Sequence, residues 1–298
     1  MWKSILLAFL AVLPMSASAQ RIAFSFDDGF DPSAQQNAAN LNTSMIKALA
    51  EEKVRSIFYV AGTRVDSDEG LRLVQEWADA GHRIASHGYA HLNLNSSEVT
   101  LAAFIDDAKR NEGVLARFQP WDKRFRFPYL KEGDTEQKRD GFRQWLQLNG
   151  YASGAVSIDA SDWYYNRRLL DWLERNPGQY PAAFRKPYLD HLLDRAQYYS
   201  GLAKNRLGRD VDHVLLLHTN AINAYFLADV IRMFRAAGWE IIDPDVAYQD
   251  AVYAMQPASL PAGESIIWSL AKEAETPNLR YPAEDGRYEE PKLDALGL

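Results

Sequence analysis

The chain has 298 residues, a formal charge of −7 and no cysteine. Without a basic stripe, that acidity argues against nucleic acid as a partner. The missing thiols exclude disulfides and thiolate metal sites, so any metal must be held by His and Asp or Glu. The length suits one large α/β domain with a sizeable core.

Residues 1–19 read as a secretory signal. Lys3 gives a positive start, 5–13 a short apolar core, and Ala17-Ser18-Ala19 a small-residue cleavage site before Gln20. The apolar run is too short to span a bilayer, so an uncleaved anchor is the secondary reading. The expectation is an exported protein, periplasmic or secreted, with no membrane span after the signal is removed.

From residue 20 onward, short β-like runs alternate with helical patterns. Residues 21–26 predict a first strand, ending in Asp27-Asp28-Gly29. A helix over 34–52 follows, with Leu41, Met45, Ala48 and Leu49 near helical spacing. Residues 56–61 predict a second strand and 69–80 a helix stopped by Gly81. A third strand over 83–86 delivers His87. A helix covers 97–117, with Ser96 or Ser97 as its cap.

The fourth strand is 124–127, stopped by Pro128, followed by a helix over 135–149 that ends at Asn149-Gly150. Residues 152–158 predict the fifth strand, running into Asp159. Helical patterns fill 166–175 and about 182–207. The sixth strand, 213–217, delivers His218. A helix over 223–236 and a seventh strand over 239–242 close the pattern. Residues 255–298, with their recurring prolines, read as an extended tail with one short helix near 264–274, packed on the rest.

This βαβα rhythm predicts parallel strands with helical crossovers. Seven strands fit a distorted, incomplete (β/α)7 barrel over 20–254, with 255–298 as a C-terminal extension. An open doubly wound sheet is the main alternative. Asp27, Asp28, His87, Asp159 and His218 all fall at C-terminal strand ends, where such barrels carry their chemistry.

In His87-Gly88-Tyr89-Ala90-His91, the four-residue spacing puts two imidazoles one helical turn apart. About sixty residues earlier stand the paired carboxylates of Asp27 and Asp28. Two imidazoles and one carboxylate make a ligand set for a catalytic zinc-type ion with an open position. The other carboxylate is then free to act as a base on water, which suggests hydrolysis. His82, His191 and His213 fit no such pattern and read as structural or surface residues.

Five short segments, taken in order, resemble the polysaccharide deacetylase family, also called the NodB homology domain or carbohydrate esterase family 4. They are Ser25-Phe26-Asp27-Asp28, His87-Gly88-Tyr89-Ala90-His91, Arg126-Phe127-Pro128-Tyr129, Asp159-Ala160-Ser161-Asp162-Trp163 and Leu215-Leu216-Leu217-His218. The resemblance covers about 21–245. It implies a divalent metal, most often zinc, held by Asp28, His87 and His91. It implies Asp27 as general base and His218 as general acid. Arg126 would orient Asp27, with Arg124 as its rival, and Asp159 would do the same for His218. Tyr129 would offer its N–H to the oxyanion. Trp163 would wall the groove or sit in the core, and Asp162 would only cap a helix.

The implied substrate is an acetylated glycan, losing N-acetyl or O-acetyl groups. A small-molecule C–N amidohydrolase and a glycan-binding module without catalysis are the alternatives. The sequence departs from the family pattern at Gly88, Phe127, Leu130 and Thr219-Asn220, which points to an atypical subfamily.

Overall fold

The computed structural model describes residues 19–298. The expected export signal lies outside the described residues, save Ala19. Among those residues, no helix is long and apolar enough to cross a membrane.

The central sheet contains β1 (Arg21–Asp28), β2 (Ile57–Val60), β3 (Arg83–Ser86), β4 (Trp121–Phe125), β6 (Ala152–Ser153), β7 (Asp212–His218) and β8 (Glu240–Ile241). The strand order is β6-β4-β3-β2-β1-β7, with β8 also pairing β1, and every pairing is parallel. Isolated bridging of Ile158 to Leu215 brings the sheet back toward its own first edge. This is the expected distorted barrel of parallel strands. A strand covered on both faces reads as a nearly continuous apolar run. In β1, Ile22 to Asp27 are accordingly all buried.

The fifth predicted strand, 152–158, is broken. Ala152 and Ser153 pair with β4, whereas Ile158 pairs with β7. Gly154 lies at the break. A Cβ there would stand 2.6 Å from the Tyr59 ring, and its carbonyl accepts from Arg126 Nε at 2.6 Å. The chain leaves one neighbour at the point where a buried guanidinium takes over its hydrogen bonding.

The expected helices form, with shifted ends. The helix after the histidine segment is Leu101–Leu115, and its cap is Thr100, whose side chain accepts from Ala103 N; neither Ser96 nor Ser97 caps it. The long helix Ala182–Leu207 follows Asp162–Arg175.

The tail is more ordered than the sequence suggests. Ala262–Gly263 (β9) pairs antiparallel with Lys131–Gly133 (β5). The helix Ile266–Glu273, a 3-10 turn at Gly286–Tyr288 and the helix Glu290–Ala295 follow. Ile267, Leu293 and Leu298 join the main core, so the tail is held by apolar burial, the dominant favourable term in folding.

Candidate active site

The ends of β1, β3 and β7 meet at one rim of the barrel. In the register, Asp27 stands opposite Tyr59 on β2 and His218 on β7. Thr219 ties the two strand ends together, since its N–H and its hydroxyl both donate to the Asp27 carbonyl at 3.0 Å.

A cavity of about 710 Å³ opens at this rim, lined by Asp27, Asp28, His87, His91, Tyr129, Asp159, Trp163 and His218. Arg126 lies behind the wall, fully buried. A second cavity, of about 730 Å³, holds none of these residues.

The candidate ligands converge. His91 Nε2 lies 3.3 Å from Asp28 Oδ1 and His87 Nε2 lies 3.8 Å from it. His87 Nδ1 lies 2.9 Å from the Arg126 carbonyl. A carbonyl only accepts, so Nδ1 carries the proton and Nε2 presents its lone pair to the carboxylates. Metal-ligating histidines are typically oriented by such a bond. Burial pushes His87 well below its ordinary pKa and lowers His91, so both are neutral, as ligands must be.

Burial raises the Asp28 carboxyl, but the positive charge around it, His218 first, outweighs this and holds it below its usual value. Asp28 Oδ1 is buried without a hydrogen-bond partner. A buried, ionised oxygen with no donor fits a cation.

The histidine segment is a loop rather than a helical turn. Gly88 and His91 both take positive φ, 71° and 53°. Asp107 pins the loop by accepting from Tyr89 N at 2.7 Å and Ala90 N at 2.8 Å. A Cβ on residue 88 would stand 2.8 Å from Asp107 Oδ2, which explains glycine at this position. Phe127, the other conspicuous departure, is buried against Phe104, Phe125 and Phe142.

Asp27 is paired as expected, with Arg126 Nη1 donating to its Oδ1 at 2.7 Å. Arg126 also donates to Ser25 Oγ and Tyr248 OH and lies 4.0 Å from the centre of the Tyr59 ring. Arg124, its rival, instead lies over Tyr248 and donates to the Ser153 carbonyl. Burial raises Asp27 to about 6, against the pull of Arg126 and His218.

The partner of His218 corrects the expectation. His218 Nδ1 lies 2.7 Å from Asp162 Oδ1, and Asp162 Oδ2 accepts from His218 N at 2.8 Å, Asn220 Nδ2 at 3.0 Å and Asn223 Nδ2 at 2.9 Å. Asp159 instead accepts from Ala160 N at 2.8 Å, and its carboxyl is pushed well above the usual range by burial, Glu284 and Glu264. Asp162 opens the helix Asp162–Arg175 and is wholly buried. Burial alone would lower His218; the Asp162 charge reverses that and pushes it up to about 10. Asp162 could have been found in the sequence, as it directly precedes Trp163 in the same motif.

Tyr129 and Trp163 are 57% and 41% exposed. At that exposure the core reading of Trp163 does not hold, and Tyr129 packs its ring edge-on against His91, with centroids 4.4 Å apart. Glu264, Pro282 and Glu284 of the tail also line the cavity, and no motif pointed to them.

A family model, polysaccharide deacetylase, matches residues 15–145, which include the first three motifs. Over that segment, which is less than half of the chain, the sequence is similar to the polysaccharide deacetylase family. No curated protein matches the chain. Among solved structures it is similar to peptidoglycan deacetylase PdaC from Bacillus subtilis, at 16% identity and TM-score 0.52, covering 78% of this chain and 91% of that one. It is also similar to the catalytic domain of a peptidoglycan N-acetylglucosamine deacetylase from Eubacterium rectale, at 17% and 0.52, covering 77% and 90%. A mutant of a family 4 pseudoenzyme with restored activity aligns equally well, at 16% and 0.52, covering 77% and 68%. At such identities the likeness is one of fold.

Proposed function

We propose that this protein is an exported, metal-dependent hydrolase that removes N-acetyl groups from an amino-sugar glycan. The observation that carries this reading is the arrangement around Asp28, His87 and His91. A base held by arginine, Asp27–Arg126, and an acid held by carboxylate, His218–Asp162, line the same cavity as these ligands. That pairing suits a reaction that removes a proton from water and returns one to a leaving amine.

Asp28, His87 and His91 would hold a divalent ion, with zinc preferred for two imidazoles and a carboxylate. Such an ion, when bound, supplies Lewis acidity toward water and toward the acyl oxygen. The Asp27 carboxylate accepts the proton of the attacking water, and Arg126 keeps it aimed. Oxygen adds to the acetyl carbon. The C–N bond then breaks as His218 gives its Nε2 proton to the amine nitrogen. Asp162 keeps His218 protonated at neutral pH, the form able to donate. Tyr129 and Trp163 supply exposed faces for the sugar, and the Tyr129 backbone N–H is the proposed oxyanion donor.

An ester has a better leaving group and needs His218 less, so O-acetyl glycans are the second substrate class for the same machinery. Acetate release from a panel of N-acetyl and O-acetyl glycans, with and without chelator, tests the reading. Chelator-sensitive release supports it. Sugar binding with no release from any member refutes it in favour of a binding module.

A further inference from the structure

The tail and the long helix Ala182–Leu207 converge on one turn of the active site. Ser161 N donates to His191 Nε2 at 3.0 Å. His191 must therefore carry its proton on Nδ1, where Glu289 Oε2 lies 3.2 Å away. Ser161 Oγ lies 3.4 Å from Glu284 Oε2, and Tyr199 OH donates to Glu284 Oε1 at 3.1 Å. His191, Glu284 and Glu289 are each more than nine-tenths buried.

These three side chains put ligating atoms close together, but they do not form a metal site. The imidazole nitrogen that could bind an ion is already taken by the Ser161 N–H. The next residue along is Asp162, whose carboxylate holds His218. Gly286, between the two tail glutamates, lies so close to the same helix that a Cβ would stand 2.3 Å from the Tyr164 ring. Arg168 of that helix donates to Asp294 Oδ1 at 2.6 Å.

We propose that the C-terminal extension is a working part of the catalytic site: Glu289, acting through His191, and Glu284 clamp the Ser161 turn and so fix the Asp162 carboxylate on His218. Both glutamates are positioning residues. The proposal rests on the reading of His218 as the acid. It gives the long helix and the tail a role that their packing alone does not.

Glu289→Ala removes the acceptor of the His191 Nδ1–H. Glu289→Gln restores an acceptor oxygen. Full-length, metal-loaded protein is measured in two ways. One readout is the low-field Nδ1–H proton resonance of His218, assigned by its loss in His218→Gln. The other is the split of kcat and KM on an N-acetyl glycan, compared with an aryl acetate. Glu289→Ala should move the resonance upfield or abolish it. It should lower kcat on the glycan roughly tenfold to hundredfold, with KM nearly unchanged and a smaller loss on the aryl ester. Glu289→Gln should recover most of both.

A folded Glu289→Ala with the resonance and kcat intact overturns the proposal. So does an equal loss on both substrates with the resonance in place. If Glu289→Ala does not fold, His191→Leu, which leaves Ser161 N–H without its acceptor, is judged by the same two outcomes. If the wild type releases no acetate, the functional reading fails while the resonance still decides the clamp.

Discussion

His87 Nδ1 sits 2.9 Å from the carbonyl oxygen of Arg126, so one residue serves both halves of the site. Its backbone sets the tautomer of a metal ligand, and its guanidinium holds the base Asp27. Position 126 is therefore sensitive twice. Arg126→Lys loses the bonds to Gly154, Ser25 and Tyr248 and leaves Asp27 poorly paired in a buried place. Breaking a buried pair costs about 3–5 kcal/mol, and a conservative lysine should forfeit a large part of that. Urea unfolding of wild type and Arg126→Lys measures it. A midpoint within experimental error of wild type would contradict the role given to the guanidinium.

Asp27→Asn separates base from ligand. The amide oxygen can still accept from Arg126, so the fold and the ligand set should survive. Loss of a general base lowers rate by about a hundredfold to ten-thousandfold. The expectation is wild-type metal content with kcat reduced over that range, measured on the same preparation by elemental analysis and acetate release. Loss of metal together with activity would make Asp27 a ligand instead.

Asp162→Asn and Asp159→Asn discriminate between the two acids beside His218. The folded pKa of His218, about 10, lies above its ordinary 6.5 because Asp162 favours the imidazolium. The stabilising pair is therefore complete below about 6.5 and is lost as pH rises through about 10. The proton donor disappears over the same window. Asp162→Asn should bring the alkaline limb of the kcat/KM profile down by about one unit or more, with a larger rate loss on N-acetyl than on O-acetyl substrates. Asp159→Asn should leave that limb in place. A limb that follows Asp159 would restore the pairing expected from sequence.

His213 has the opposite sign. Burial holds it at about 4, below its ordinary 6.5. Between these values the unfolded chain binds more protons, so stability falls as pH drops through this window. His213→Gln removes that contribution. Between pH 7 and pH 5 the variant should lose up to about 2 kcal/mol less than wild type. Urea midpoints at the two pH values measure the difference, and equal losses would contradict the assignment.

The barrel and most of the site were legible in sequence for a physical reason. Strands buried on both faces read as nearly continuous apolar runs, and the chemistry must sit where they end. β1 and β7 each show an apolar run that stops at a titratable residue, Asp27-Asp28 and His218. What sequence hid depends on three-dimensional packing. Spacing alone could not tell the loop at His87–His91 from a helical turn, because Asp107, sixteen residues beyond His91, pins it. The resemblance pointed to Asp159 as the partner of His218, and its place at a strand end agreed; the turn at Ser161 that presents Asp162 is built by a helix and a tail remote in sequence. The break at Gly154 follows from Arg126 reaching beneath it, which no local pattern reports.

Elemental analysis of purified, metal-reconstituted wild type and His91→Ala, with N-acetyl glycan deacetylation assayed on the same samples, tests the account most directly. The expected result is about one divalent ion per chain in the wild type, acetate release that chelation abolishes and metal restores, and in His91→Ala a large loss of both. Undiminished metal in His91→Ala, or full activity in chelated wild type, would contradict it.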